Sequence, residues 1–239
     1  MMKHLYLDKM PELPFQIAEA MNQLRINLGF SGENVRTIMI TSSTPNEGKS
    51  FVAVQLWKML AEVGNRTLFI DCDLRNSELR SKYGLRAEDG MIGIEHFLAG
   101  KSDIEDVIFE TDVENGYMIP VVTNIANPTI LLECKKFSDM INITKQNFDY
   151  VLIDTPPLGS VADALTVAGY CDGSLLVVRS GDTPRKLIEN SVQLLQRTET
   201  PMLGMVLNRA DTGRKGNGYY YNHYYRYGYN DYGYGRSKK

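Results

Sequence analysis

No stretch of eighteen apolar residues occurs in this sequence, and 23% of its 239 residues are charged, so no membrane-spanning helix is expected. The opening residues, MMKHLYLDKMPELP, place Asp8 and Glu12 where a secretory leader would need an unbroken apolar core, which argues against export. Cysteine is scarce: Cys72, Cys134 and Cys171 are odd in number, far apart and outside any C-x-x-C spacing. That pattern excludes a disulfide framework and a thiolate metal site, and fits reduced core residues in cytoplasm. Aliphatic side chains are missing altogether from residues 212–239, so that segment has no core to join and is expected to be disordered.

What is present is arranged around Ser42–Ser50, SSTPNEGKS, between the apolar run Arg36–Thr41 and a helix opening at Lys49. A buried strand that turns into a helix N-terminus directs successive backbone N–H groups, and the helix's partial positive charge, at an anion. The spacing follows G-x-x-x-x-G-K-[ST], with Ser43 at the first glycine position. Ser43, Thr44, Pro45, Asn46, Glu47, Gly48, Lys49, Ser50 and Phe51 are therefore the candidate phosphate cradle, Lys49 reaching the β- and γ-phosphates of ATP and the Ser50 hydroxyl meeting Mg²⁺. Asparagine at position 46 tolerates positive φ better than most residues, so the cradle can turn there.

Two more apolar runs end in acid. Arg66–Ile70 leads into Asp71-Cys72-Asp73-Leu74-Arg75, and Tyr150–Ile153 leads into Asp154-Thr155-Pro156-Pro157. Continuous apolar runs are strands covered on both faces, and ligands gather outside the carboxyl ends of such strands. Asp71, Asp73 and Asp154 are thus placed for chemistry, with Asp154 supporting magnesium. The last strand, Leu203–Asn208, brings Asn208 to a carboxyl end, where it reads a base or closes a turn.

Along the chain, residues 1–13 read as a loose arm. Phe15, Ala18, Met21, Leu24 and Leu28 recur at helical spacing up to Gly29, with Glu19, Asn22 and Arg25 on the opposite face. Helices are expected over Lys49–Val63, Gly93–Gly100, Asn127–Gln146, Val161–Gly169 and Pro184–Arg197, and further strands at Tyr117–Val122 and Ser174–Val178. Alternating strands and helices give an α/β class with a mostly parallel central sheet and helices on both faces. His96, alone on a short helix, is assigned no chemistry. The resulting division is 1–30 (arm and helix), 31–211 (main domain) and 212–239 (tail).

Nine of the fourteen tyrosines fall in the tail: Tyr219, Tyr220, Tyr221, Tyr224, Tyr225, Tyr227, Tyr229, Tyr232 and Tyr234. Six Lys/Arg against one Asp make it +5, leaving −8 on the rest of a chain whose formal charge is −3. A flexible segment of this length reaches about 30 Å, far enough to meet a neighbouring subunit.

The ordered set SSTPNEGKS, LFIDCDLR and YVLIDTPP, followed by a terminal tyrosine cluster, resembles the bacterial protein-tyrosine kinases of capsule and exopolysaccharide synthesis (BY-kinases), in their two-protein Gram-positive form. The resemblance implies a P-loop NTPase fold and ATP with Mg²⁺ as cofactors. Lys49, Asp71 and Asp73 become the catalytic residues, Ser50, Asp71, Asp73 and Asp154 the metal-side groups, and the tail tyrosines the phosphoacceptors, modified in trans. A tyrosine hydroxyl, with a pKa near 10, needs a proton acceptor. Asp71 is taken as that base, though the sequence equally allows Asp73.

The family's E-x-x-R-x-x-R helix, which joins subunits into a ring, reads here Glu19…Asn22…Arg25, so Glu19 and Arg25 are the oligomerisation candidates and one charged contact is missing. The resemblance also implies activation by the cytoplasmic tail of a transmembrane polysaccharide co-polymerase adaptor, a cognate tyrosine phosphatase, and a cytoplasmic chain held at the inner membrane face through the adaptor. No nucleic-acid partner is expected. The competing class is an ATPase switch or scaffold of the partition and division-site type, whose members carry lysine where this chain has Thr44.

Overall fold

The computed structural model describes residues 3–210. The tail, and with it every candidate phosphoacceptor tyrosine, lies outside the described residues. In chain order the elements are β1 (Lys3–Leu7), α1 (Phe15–Gly29), β2 (Thr37–Ser42), α2 (Lys49–Glu62), β3 (Thr67–Asp71), α3 (Leu79–Tyr83), β4 (Leu85–Arg86), α4 (Ile94–Leu98) and α5 (Ile104–Val107). There follow β5 (Phe109–Thr111), β6 (Gly116–Ile119), α6 (Thr129–Leu132), α7 (Lys135–Asn147), β7 (Tyr150–Asp154), α8 (Asp163–Ala168), β8 (Gly173–Arg179), α9 (Arg185–Gln196) and β9 (Met202–Asn208).

These strands form one sheet in the order β4-β1-β5-β6-β3-β7-β2-β8-β9. From β6 to β9 every neighbour is parallel, while β5–β6 and β1–β4 are antiparallel. Alternation along β3 shows how the two faces are filled. Leu68 and Ile70 pack with Phe137 of α7, Ala164 of α8 and Leu195 of α9. Phe69, pointing the other way, packs with Met21 of α1 and with Val52, Leu56 and Trp57 of α2. Trp57 is fully buried and its indole N–H donates to the Thr67 carbonyl at 3.1 Å, so the ring covers apolar area without orphaning its donor.

The expected α/β class with helices on both faces is therefore the observed one, and three local readings change. The expected loose arm is a strand over Lys3–Leu7, which pairs in parallel with β5 and antiparallel with β4, burying Leu5 and Leu7. The alternation of His4-Leu5-Tyr6-Leu7 was its signal, too short to outweigh the charges around it. The helix expected from Asn127 to Gln146 is two helices, interrupted where Cys134 adopts extended backbone (ψ 154°). The apolar row of α1 is only partly core: Met21 and Leu28 are buried, whereas Phe15 is 78% exposed.

Candidate functional site

The central order β3-β7-β2 assembles the site. Asp71 and Asp154 are register partners at the ends of adjacent parallel strands, about 5 Å apart along the backbone. The chain leaving β2 forms the cradle beside them. Asn46 takes φ 65° and Gly48 φ 90°, so the positive φ expected of Asn46 is observed. At Gly48 space matters as well as φ, since a Cβ there would lie 2.1 Å from the Asn208 amide nitrogen. Asn208 donates that nitrogen to the Glu47 carbonyl at 2.9 Å, so its side chain braces the cradle. Ser43, at the first glycine position, is buried, and its hydroxyl has no hydrogen-bond partner among the described residues. Phe51 is half-buried and packs into the core beneath α2.

Lys49 reaches across to the acids. Its Nζ lies 3.0 Å from Asp73 Oδ2, 3.4 Å from both oxygens of Asp154 and 3.3 Å from Ser50 Oγ. Burial pulls the ammonium down, but the carboxylates of Asp154 and Asp73 outweigh it and raise Lys49 above its ordinary value. Asp71 forms no ion pair with the ammonium, and its pKa also rises, which for an acid favours the neutral form. Burial, then the charge of Asp154, push its carboxyl up to about 7, against the opposing pull of the Ser77 hydroxyl and Lys49. Asp154 is also raised, by burial first. Both oxygens of Asp71 are held: Oδ1 accepts from the Asp73 N–H at 3.1 Å, and Oδ2 accepts from the Ser77 hydroxyl.

The loop after β7 lies against the cradle. Leu158 and Gly159 donate backbone N–H groups to the carbonyls of Ser42 (2.9 Å) and Ser43 (3.0 Å), and a Cβ at Gly159 would sit 2.6 Å from the Ser43 oxygen. The loop after β3 is clamped by Arg75, which forks onto buried Asp163 at 2.5 and 3.2 Å and donates to the Ala126 carbonyl at 2.7 Å. Arg75, Ser77 and Asp163 had no role in the sequence reading. Arg75 was visible only as the end of D-x-D-x-R; nothing local marks Asp163 as its partner.

The donor set suits a magnesium–triphosphate. It offers hard oxygens from Ser50, Asp71, Asp73 and Asp154, a lysine, and a glycine cradle opening into a helix N-terminus. Among the described residues no group of three or more His, Cys, Asp or Glu is arranged to hold a metal by itself. Magnesium is usually held by one or two carboxylates together with phosphates and water, so a dedicated protein cage is not required. Glu19 and Arg25 are on α1, away from this cluster; Glu19 is exposed, and Arg25 donates Nε and Nη2 to Asn22 Oδ1 at 3.2 and 2.7 Å. No helix among the described residues is long and apolar enough to cross a membrane.

Residues 35–179 match the family model of the AAA domain. The chain is 36% identical over 205 residues to the tyrosine-protein kinase CpsD of Streptococcus agalactiae, with 86% of this chain and 89% of that protein covered. It is 32% identical over 207 residues to the tyrosine-protein kinase wzc of Salmonella typhimurium, with 84% of this chain but 28% of that larger protein covered. Among solved structures, the kinase domain of the Escherichia coli tyrosine kinase ETK superposes with a TM-score of 0.74 at 30% identity, with 83% and 79% of the two chains covered.

Proposed function

Because the chain belongs to the bacterial protein-tyrosine kinase (BY-kinase) family and is a protein-tyrosine kinase with an AAA domain, we propose that it phosphorylates, in trans, the tyrosine cluster at its own C-terminus. In this reading Lys49 releases Asp73 and Asp154 to bind the β- and γ-phosphates of ATP, and the freed acids, with Ser50, would hold Mg²⁺. Bound Mg²⁺ supplies charge neutralisation on the phosphates. Asp71 takes the proton of the incoming tyrosine hydroxyl as its oxygen bonds to the γ-phosphorus. The bond from that phosphorus to the β–γ bridging oxygen breaks, and ADP leaves with the electron pair. In the ligand-free protein burial raises this carboxyl above its ordinary value, which makes it a better proton acceptor than a solvated aspartate.

The observation that carries this reading is the convergence of Lys49, Asp73 and Asp154 within 3.4 Å contacts beside Asp71. Asn208, whose side chain donates to the Glu47 carbonyl at the cradle, is the candidate for meeting the nucleoside end of ATP. Family membership supports a role in capsule or exopolysaccharide synthesis. It also supports a transmembrane polysaccharide co-polymerase adaptor as activator at the inner membrane face, a cognate phosphatase, and a ring built through α1 with Glu19 and Arg25. Arg25's bond to Asn22 means that an inter-subunit contact must compete with one already made.

The test is purified full-length chain with γ-labelled ATP, with and without the adaptor's cytoplasmic peptide, followed by phosphotyrosine mapping. Label is expected on the tail tyrosines. Asp71→Asn is expected to keep ATP affinity within about threefold while lowering tail phosphorylation by about a hundredfold or more. Label on the tail at the wild-type rate in that variant would remove Asp71 from the mechanism.

A further inference from the structure

Glu47 is an odd residue to find one position before Gly48. It is 2% exposed and sits in the wall of a cradle suited to a triphosphate, where its carboxylate is a like charge. Both of its oxygens are engaged, however. Oε2 accepts from the Thr44 N–H at 2.8 Å, and Oε1 accepts from the Thr183 hydroxyl and, at 3.4 Å, from the Arg179 N–H. The Glu47 carbonyl accepts from the Asn208 side chain at 2.9 Å, and the Asn208 carbonyl in turn accepts from the Ser180 N–H at 2.9 Å. Thr44 belongs to the cradle, Arg179 to Thr183 to the segment leaving β8, and Asn208 to the end of β9. Glu47 thus ties the cradle to the rim formed by two neighbouring strand ends.

We infer that the Glu47 side chain is a positioning residue for nucleotide binding: a strut that holds the cradle open and in register with the β8–β9 rim, and is not itself a phosphate ligand. The inference rests on the reading that the cradle binds ATP. The chemistry requires a carboxylate, because the three donors converging on Glu47 need acceptors at both of its oxygens. Glutamine in the same place turns an NH2 group toward one of those donors and breaks one side of the strut. The sign of the effect separates the two roles of the charge. If repulsion of phosphate dominates, removing it tightens ATP binding; if the strut dominates, removing it weakens ATP binding.

The experiment is calorimetric titration of Mg-ATP into the full chain and into Glu47→Gln, Thr183→Val and the double variant, with thermal midpoints measured alongside. Glu47→Gln is expected to raise Kd about tenfold and Thr183→Val about threefold. The double variant is expected to be no weaker than Glu47→Gln, because both changes break the same strut. Equal or tighter binding by Glu47→Gln, or strict additivity in the double variant, overturns the inference. Should Glu47→Gln not fold, an unchanged Kd in Thr183→Val overturns it equally. Absence of ATP binding by the wild-type chain would instead sink the nucleotide reading of the cradle.

Discussion

Aspartates sit at both ends of the central strands, and the two ends treat them differently. At the amino ends, just before β7 and β8, Asp149 accepts from the Arg66 N–H at 2.8 Å, and Asp172 accepts from the Thr37 and Arg36 N–H groups at 2.7 and 3.2 Å and from Lys145 at 2.8 Å. These acids satisfy the first backbone groups of neighbouring strands. Burial pushes the Asp172 carboxyl up, but the Lys145 ammonium and the two amides outweigh it and hold it below its ordinary value. At the carboxyl ends, Asp71, Asp73 and Asp154 are gathered together with a single lysine between them. At Asp71 burial and the charge of Asp154 win, and its carboxyl rises to about 7. At Asp172 the donors outweigh burial and the carboxylate stabilises the fold; at Asp71 burial and the charge of Asp154 outweigh the two donors, and the carboxylate destabilises it.

The contrast is broken most severely at Lys49. Lys49→Met removes the cation shared by Asp73 and Asp154 and the proposed contact to the phosphates, so phosphotyrosine formation is expected to fall by about a thousandfold or more. ATP titration should show no saturable binding; tight binding would place the cradle's affinity elsewhere.

Asp71→Asn sharpens the contrast through pH, in protein free of nucleotide and metal. A carboxyl whose folded pKa is raised carries no cost below its unfolded value of 3.8, and a growing cost as pH climbs to about 7. Asp71→Asn should therefore match wild type near pH 4 and be more stable at pH 8, by up to about 4 kcal/mol, since each tenfold change in proton affinity is worth about 1.4 kcal/mol. Urea unfolding at the two pH values measures this, and a gap independent of pH would mean that another group titrates.

Asp172→Asn tests the amino end and should have the smallest effect. It is expected to cost about 1–3 kcal/mol at neutral pH, while the phosphorylation rate per folded molecule stays unchanged. Because the Asp172 carboxyl is held low, its contribution is present above 3.8 and is lost as pH falls through the folded value below that. The gap between variant and wild type should close over that acid range. A gap that does not narrow as the acid pH is lowered would assign the cost to packing.

Much of this molecule was legible in its residues because the signals are local. Apolar runs ending in acid marked β3 and β7, the GKS turn marked the start of α2, and Asn46 was tolerable because asparagine accepts the φ of 65° it adopts. What escaped was short or depended on distant partners. Strand β1 spans only Lys3–Leu7 and is stabilised by β4 and β5, whose sequences lie about a hundred residues or fewer away, so no window around it shows the pairing. The break before Lys135 is a tertiary choice of backbone at Cys134 in a stretch whose pattern continues through it.

The sequence by itself determined that the central strands β2, β3 and β7 are buried on both faces, where an anion-binding turn opens into a helix, and that acids stand at strand ends. Those properties follow from side-chain chemistry and spacing within a few residues. Only the tertiary structure decided that Lys49 meets Asp154, 105 positions away, that Arg75 is held by Asp163, and that Glu47 is bound by Thr183 in place of a cation. Those pairings come from the strand order β3-β7-β2-β8-β9, which sets chain segments remote in sequence about 5 Å apart and which no local pattern encodes.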